Sequence, residues 1–142
     1  MNIAFFLKPK ISTVFLYSDF TIRQALEKMR HYGYTAIPVI TREGKYAGTV
    51  SEGDFLWFLM DCCNADESVN RKMLEETPLM KIIRKESYKP VKVTANVDEL
   101  LNVAMNQNFV PVTDDLSSFI GIVTRRDIIK HLTASESEIQ HT

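Results

Sequence analysis

The chain has 142 residues, 45% of them hydrophobic and 25% charged, with 17 basic and 18 acidic groups and a net charge of −1. That profile suits a globular domain with a real core and argues against a chain built to grip nucleic acid, which carries a basic excess. No apolar run reaches the roughly 18–20 residues that a bilayer requires, so no membrane partner is expected and cytoplasmic residence is the default.

In chain order, the apolar start Met1-Asn2-Ile3-Ala4-Phe5-Phe6-Leu7 lacks a basic leader and breaks at Lys8-Pro9. It reads as a short segment packed on the domain and not as a signal peptide. Residues 12–16, rich in β-branched and aromatic types, read as an opening strand. Thr21 and Gln24 form a capping-box pattern, Ile22, Ala25, Leu26 and Met29 follow at helical spacing, and Gly33 ends that helix. Residues 35–40 read as a buried strand, 42–45 as a hairpin turn, 46–50 as the return strand and 54–62 as a second helix.

Residues 64–89 read as a polar loop followed by a helix carrying Leu79, Met80, Ile82 and Ile83. Residues 90–93 then open a second series. Asn96, with Glu99 three residues on, caps a helix whose inner face holds Val97, Leu100, Leu101, Ala104 and Met105. Residues 109–112 form a strand, 114–118 a turn without glycine, 119–123 the return strand and 127–132 the last helix. The polar residues 134–142 are expected to fray.

The chain repeats itself. Pro38 matches Pro111, Gly48 matches Gly121, Ser51 matches Thr124 and Asp54 matches Asp127, each pair 73 positions apart. Each unit is a β-α-β-β-α series, so the fold class is mixed α/β. A single unit buries little surface alone, and the repeat predicts a pseudo-two-fold domain with a common core and a cleft on either side of its axis. The boundaries are 1–63 for the first repeat with its leading segment, 64–89 for the linker and its helix, 90–133 for the second repeat and 134–142 for the tail.

Two stretches carry the chemistry: Gly48-Thr49-Val50-Ser51-Glu52-Gly53-Asp54 and Gly121-Ile122-Val123-Thr124-Arg125-Arg126-Asp127. Both read G-x-x-[ST]-x-x-D where a strand meets a helix. Such a helix N-terminus favours an anion, the hydroxyl can donate to a phosphate, and the carboxylate can accept two ribose hydroxyls. The same residues could equally cap their helices. Arg125 and Arg126 could grip a phosphate with paired hydrogen bonds or point into solvent. Glu52, in the place of Arg125, would repel a phosphate, so tighter binding is expected at Asp127 than at Asp54.

Residues 34–39 and 108–112, taken with these two motifs, resemble a pair of CBS repeats, the motif named after cystathionine β-synthase. No enzyme or transporter domain accompanies them here, so the chain resembles the free-standing pairs, or Bateman modules. The resemblance implies a regulatory module with no required cofactor, taking AMP, ADP or ATP as a regulatory ligand, and energy sensing passed to an unknown protein partner. It implies that Thr124, Arg125, Arg126 and Asp127 share a cleft with Tyr34, Thr35 and Ala36, closed by Ser12 and Val14. It places Ser51 and Asp54 with Asn108, Phe109 and Val110, closed by Lys89, Pro90 and Val91. A homodimer formed through helices is implied as well. The second repeat is shortened at residues 105–108, which resembles CBS pairs that bind cyclic di-AMP and makes that ligand the alternative. A ligand-free interaction scaffold is the alternative of another class.

Other signals are set aside. Residues 71–92 hold seven basic and three acidic groups, read as a solvated linker face. The run of Phe55, Leu56, Trp57, Phe58 and Leu59 reads as core or dimer face. Adjacent Cys62 and Cys63 read as reduced thiols at a helix end, and no histidine has metal-ligand spacing with them. No catalytic constellation is present: Thr49 stands where a G-x-S-x-G elbow needs glycine, and the G-K-[ST] ending of a Walker loop is missing.

Overall fold

The structure, a computed structural model, describes residues 2–65, 68–84 and 88–140, with the backbone alone for 135–140. It has two compact units, Val14–Ser87 and Met1–Thr13 with Tyr88–Thr142. In the first, a three-stranded sheet of order β2-β3-β4 is built from β2 (Leu16–Tyr17), β3 (Ala36–Ile40) and β4 (Tyr46–Ser51). The β2 and β3 strands are parallel, and β3 and β4 form an antiparallel hairpin. Helix α1 (Ile22–Tyr32) joins β2 to β3, α2 (Glu52–Asn64) follows β4, and α3 (Arg71–Glu76) leads to a short 3-10 turn, Leu79–Lys81. The second unit has β5 (Val91–Lys92), α4 (Val97–Ala104), β6 (Phe109–Thr113), β7 (Phe119–Thr124) and α5 (Arg125–Gln140). Its sheet, of order β1-β7-β6-β5, gains a fourth strand, β1 (Lys8–Pro9), antiparallel to β7.

The repeat is exact at the level of register. Strands β3 and β6, and β4 and β7, begin and end 73 positions apart, and each hairpin carries a bulge at the same place, Val39/Ile40 and Val112/Thr113. Local signals explain the helices. Thr21 and Gln24 close the capping box of α1, and Gly33 ends it in the left-handed region at φ 69°. Asn96 accepts from the Glu99 N–H at the start of α4. Helix α4 spans eight residues against eleven in α1, so the shortening of the second repeat is taken from the end of this helix.

Several expectations are corrected. The opening strand is confined to Leu16–Tyr17; Lys10–Ser12 forms a 3-10 turn instead, and the Thr13 hydroxyl donates to the Pro9 carbonyl at 2.8 Å. Ser12 therefore lies outside any strand. Helix α2 begins two residues before Asp54 and runs past Cys62, and neither Cys62 nor Cys63 is in a disulfide. The last helix continues through Gln140, so residues 134–140 of the expected tail are helical, and 141–142 lie outside the described residues. Each unit has a core of its own. Leu16, Ile22, Ile37, Val39, Val50 and Leu79 are buried in the first, and Ile3, Val91, Leu100, Val110, Val112 and Val123 in the second.

The leading segment, expected with the first repeat, belongs to the unit of the second, where Ile3 and Phe6 join the core. Residues 79–83 do the same for the first repeat, burying Leu79 and Ile82. The two segments correspond at a spacing of 76: Ile3, Phe6, Leu7 and Lys8 against Leu79, Ile82, Ile83 and Arg84. Each crosses the motif glycine of its unit. A Cβ on Gly48 would lie 3.0 Å from Ile83 Cγ2, and one on Gly121 would lie 2.2 Å from the Lys8 carbonyl oxygen.

The glycine-free turn has a structural answer. Ser117 has φ 64° where Gly44, 73 positions earlier, has φ 87°. The Asp114 carboxylate steadies the turn, accepting from the Leu116 and Ser118 N–H groups at 2.9 Å each. A left-handed serine is strained by roughly 1–2 kcal/mol, partly offset in glycine by greater unfolded-state freedom. Ser117→Gly is therefore expected to stabilise the chain by about 0.5–1 kcal/mol, measured as a raised urea midpoint with an unchanged slope.

Candidate functional site

Each motif sits where the return strand of a hairpin hands over to a helix. Ser51, in extended conformation, precedes α2, and Thr124 precedes α5. In each unit the start of the middle strand lies against that unit's own motif: Ala36 is paired with Ser51, and Phe109 with Thr124. The first helical N–H is satisfied there too, since Glu52 donates to the Thr35 carbonyl at 2.9 Å and Arg125 to the Asn108 carbonyl at 3.1 Å. Both hydroxyl residues take part in capping. Thr124 Oγ1 accepts from the Asp127 N–H at 3.1 Å, and Ser51 donates through its N–H (2.9 Å) and hydroxyl (3.2 Å) to Asp54 Oδ2.

The two motif carboxylates differ. The Asp54 side chain is wholly buried, and Arg84 Nε donates to its Oδ1 at 2.8 Å. With Ser51 on Oδ2, both oxygens of Asp54 are engaged. Asp127 is half-buried, and among the described residues its carboxylate takes part in no hydrogen bond or ion pair. Lys8, the counterpart of Arg84, pairs through its backbone with Ile122 and makes no ion pair with Asp127.

A cavity adjoins each carboxylate at equivalent places. One of about 470 Å³ lies against Asp54, Trp57, Phe58, Lys81 and Arg84. The other, about 380 Å³, lies against Asp127, Phe5, Phe6, Lys130 and His131. In the second, the His131 ring stands edge-on to Phe5 and Phe6 at centroid distances of 4.4 and 5.2 Å. Its Nε2 is buried without a hydrogen-bond partner among the described residues. An open carboxylate, an exposed aromatic ring on Phe5 and the Lys130 ammonium together suit a ligand carrying hydroxyls, a flat ring and an anionic group.

The other expected residues fall as follows. Tyr34 is exposed, stacked on Tyr32 at 5.8 Å, and borders a third cavity with Glu52, Arg30 and Phe55. Val14 packs on the core of the first unit and Val91 in that of the second, where Val110 is also fully buried. Lys89 is held through its main chain: its N–H donates to Gln107 Oε1 at 2.8 Å, and its carbonyl accepts from Gln107 Nε2 at 3.2 Å. Pro90 is exposed beside it, and Phe109 packs on Tyr88 with rings 5.0 Å apart. Arg125 does not simply point into solvent: it donates to the Ala104 carbonyl at 3.0 Å and the Met105 carbonyl at 3.4 Å, capping the C-terminus of α4. Arg126 is exposed.

Sequence reasoning missed Arg84, Gln107, Phe5, Phe6, Lys130 and His131. The matching Ile3-x-x-Phe6-Leu7-Lys8 and Leu79-x-x-Ile82-Ile83-Arg84 would have extended the repeat to include the first of these.

The CBS domain family model matches residues 10–61 and 76–134. The chain belongs to the CBS domain family. The CBS pair superposes on the solved structure of CbpB in complex with c-di-AMP with a TM-score of 0.87, at 20% identity, covering 99% of this chain and 90% of that one. CBSX2 in complex with AMP follows at a TM-score of 0.75 and 18% identity, covering 95% and 98%. An uncharacterized protein of Methanocaldococcus jannaschii is 28% identical over 132 residues, covering 87% of this chain and 46% of that protein. The CBS pair thus spans less than half the length of that relative. Among the described residues, no helix is long and apolar enough to cross a membrane.

Proposed function

We propose that this CBS pair is a non-catalytic regulatory module that binds an adenine nucleotide at the strand–helix junction of its second repeat and signals to a partner protein. One observation carries the reading: the motif carboxylate of Asp127 is uncommitted beside a cavity, while the Thr124 hydroxyl and the Arg125 side chain of that junction are engaged within the chain. A ribose diol supplies the two donors that such a carboxylate accepts. The kinship supports the ligand class, because CBS-fold structures hold c-di-AMP or AMP. Titration calorimetry with AMP, ADP, ATP and c-di-AMP tests it. Binding that vanishes in Asp127→Ala is the expected result; silence with all four would leave a ligand-free interaction scaffold in its place.

Within that class, c-di-AMP is the second reading. The shortened α4, eight residues long, alters the surroundings of the middle strand in the second repeat, and the CbpB structure with c-di-AMP matches this chain over nearly its whole length. A c-di-AMP affinity at least tenfold above that for AMP in the same titration would select it.

Self-association belongs to the same proposal. Helices α2 and α5 leave equivalent apolar side chains in solvent: Leu56 and Ile129 at 56% and 58% exposure, Leu59 and Leu132 at 39% and 48%. Repeated exposure at matching positions is the mark of a protein-binding face. The chain is expected to sediment as a dimer, and the double variant Leu56→Glu/Ile129→Glu as a monomer. A dimer that survives the double substitution would place the contact elsewhere.

A further inference from the structure

We propose that Arg84 is an internal occupant of the first repeat's motif, closing Asp54 to ligand, so that the CBS pair takes nucleotide through Asp127 alone. This rests on the reading of these carboxylates as diol acceptors, and it names the residue that decides which of the two is available.

The geometry is specific. Arg84 Nε meets Asp54 Oδ1 at 2.8 Å, and Asp54 Oδ2 already accepts from the Ser51 N–H and hydroxyl. A carboxylate has two oxygens with about four acceptor sites, and here the oxygen not turned toward the backbone is the one under the guanidinium. The Asp54 side chain has no exposure at all, whereas that of Arg84 is 56% exposed. The cation is thus a cover that could leave into water, and the carboxylate is the group that it hides. A ribose diol cannot reach Asp54 while the cover is in place.

The segment is built to hold that cover. Leu79 and Ile82 are buried in the core, and Ile83 crosses Gly48, which fixes the backbone two residues before and one residue before Arg84. At the head of α2, the guanidinium lies beside Gly53: a Cβ there would be in ordinary contact with Arg84 Nη2, at 3.6 Å. The second repeat keeps the segment, with Ile3 and Phe6 buried and Leu7 and Lys8 against Gly121, but not the cover. Its equivalent of Gly53 is Arg126, its equivalent of Arg84 is Lys8, and Asp127 has no ion pair among the described residues. The same motif is therefore latched in one repeat and open in the other.

The test is the stoichiometry of nucleotide binding per chain, by calorimetry with AMP, ATP and c-di-AMP on the full chain. Five proteins are compared: wild type, Arg84→Ala, Arg84→Gln, Arg84→Ala/Asp127→Ala and Arg84→Ala/Asp127→Ala/Asp54→Ala, each checked for its fold by circular dichroism. The expected results are one site in wild type, a second site in both Arg84 variants, and one retained site in the double variant that is lost on adding Asp54→Ala. Affinity at the Asp54 site should rise at least tenfold in Arg84→Ala. Two sites in wild type, or a single Asp127-dependent site in every Arg84 variant, would overturn the latch and leave the nucleotide reading standing. Silence of every protein with all three nucleotides would overturn both.

Discussion

Replacing Gly121 with alanine is expected to cost about 3 kcal/mol or more, combining backbone strain with overpacking, and to lower Tm by roughly 10 °C. The new Cβ would stand 2.2 Å from the Lys8 carbonyl oxygen and 2.9 Å from Leu7 Cδ1, at a φ of +155°. The carbonyl belongs to β1, paired with β7 at Lys8–Ile122 and Pro9–Gly121, so relief requires the leading strand to leave the sheet. Ile3 and Phe6 would then lose their seats in the core of that unit. Gly48→Ala meets a side chain, Ile83 Cγ2 at 3.0 Å, at φ +143°. A methyl group can turn aside, so this variant should lose distinctly less. Calorimetric melting of the two variants checks the order. Equal losses would show that the close approach of β1 is not what makes glycine necessary at 121.

The second expected result is a pair of opposite phenotypes at matching aspartates. Asp127→Ala should abolish nucleotide binding, a loss of at least a hundredfold, with stability within about 0.5 kcal/mol of wild type, as for a substitution that breaks no structural bond. Asp54→Ala should keep the nucleotide affinity within about twofold and lose about 1–3 kcal/mol. It removes the acceptor for the Ser51 N–H and hydroxyl and for Arg84, a buried charge-assisted set. Urea unfolding and nucleotide titration of both variants read the two properties separately. Loss of binding in both, with stability intact in both, would mean that the motifs are functionally equal and that the Arg84 pair has no consequence in solution.

Much of the fold was legible because the signals were local. The Thr21–Gln24 capping box, the left-handed Gly33, the Asn96 cap and the two hairpins depend on residues a few positions apart, and the register of 73 carried each into its counterpart. What the sequence hid was set by distant partners. Residues 12–16 have strand composition, yet only Leu16–Tyr17 finds a neighbour, β3, and the chain before it turns through Lys10–Ser12 to serve the other unit's sheet. The leading segment looked like a cap for whatever follows it; its place on the second repeat is decided by burial of Ile3 and Phe6 in a core drawn from residues beyond 90.

The site was half legible for the same reason. The motif identified both aspartates, and Glu52 against Arg125 already ranked them, but nothing within seven residues shows that one is covered by an arginine. The difference comes from Arg84, 30 positions from Asp54 and one of seven basic residues in a stretch that reads as a solvated face. Arg125 shows the converse case. A motif position suited to phosphate is claimed by the C-terminal carbonyls of α4, Ala104 and Met105, which the shortened helix leaves within reach. Gln107, buried at 6% exposure, was invisible as a pin because its three partners are main-chain groups of Lys89 and Phe109.

The most direct test is a crystal structure of the full chain grown with a saturating adenine nucleotide. The account predicts both ribose hydroxyls of one nucleotide within hydrogen-bond distance of the Asp127 carboxylate, with Arg84 still on Asp54. Density for a sugar on Asp54 with Arg84 displaced, or an Asp127 carboxylate bare of ligand at saturation, would contradict it.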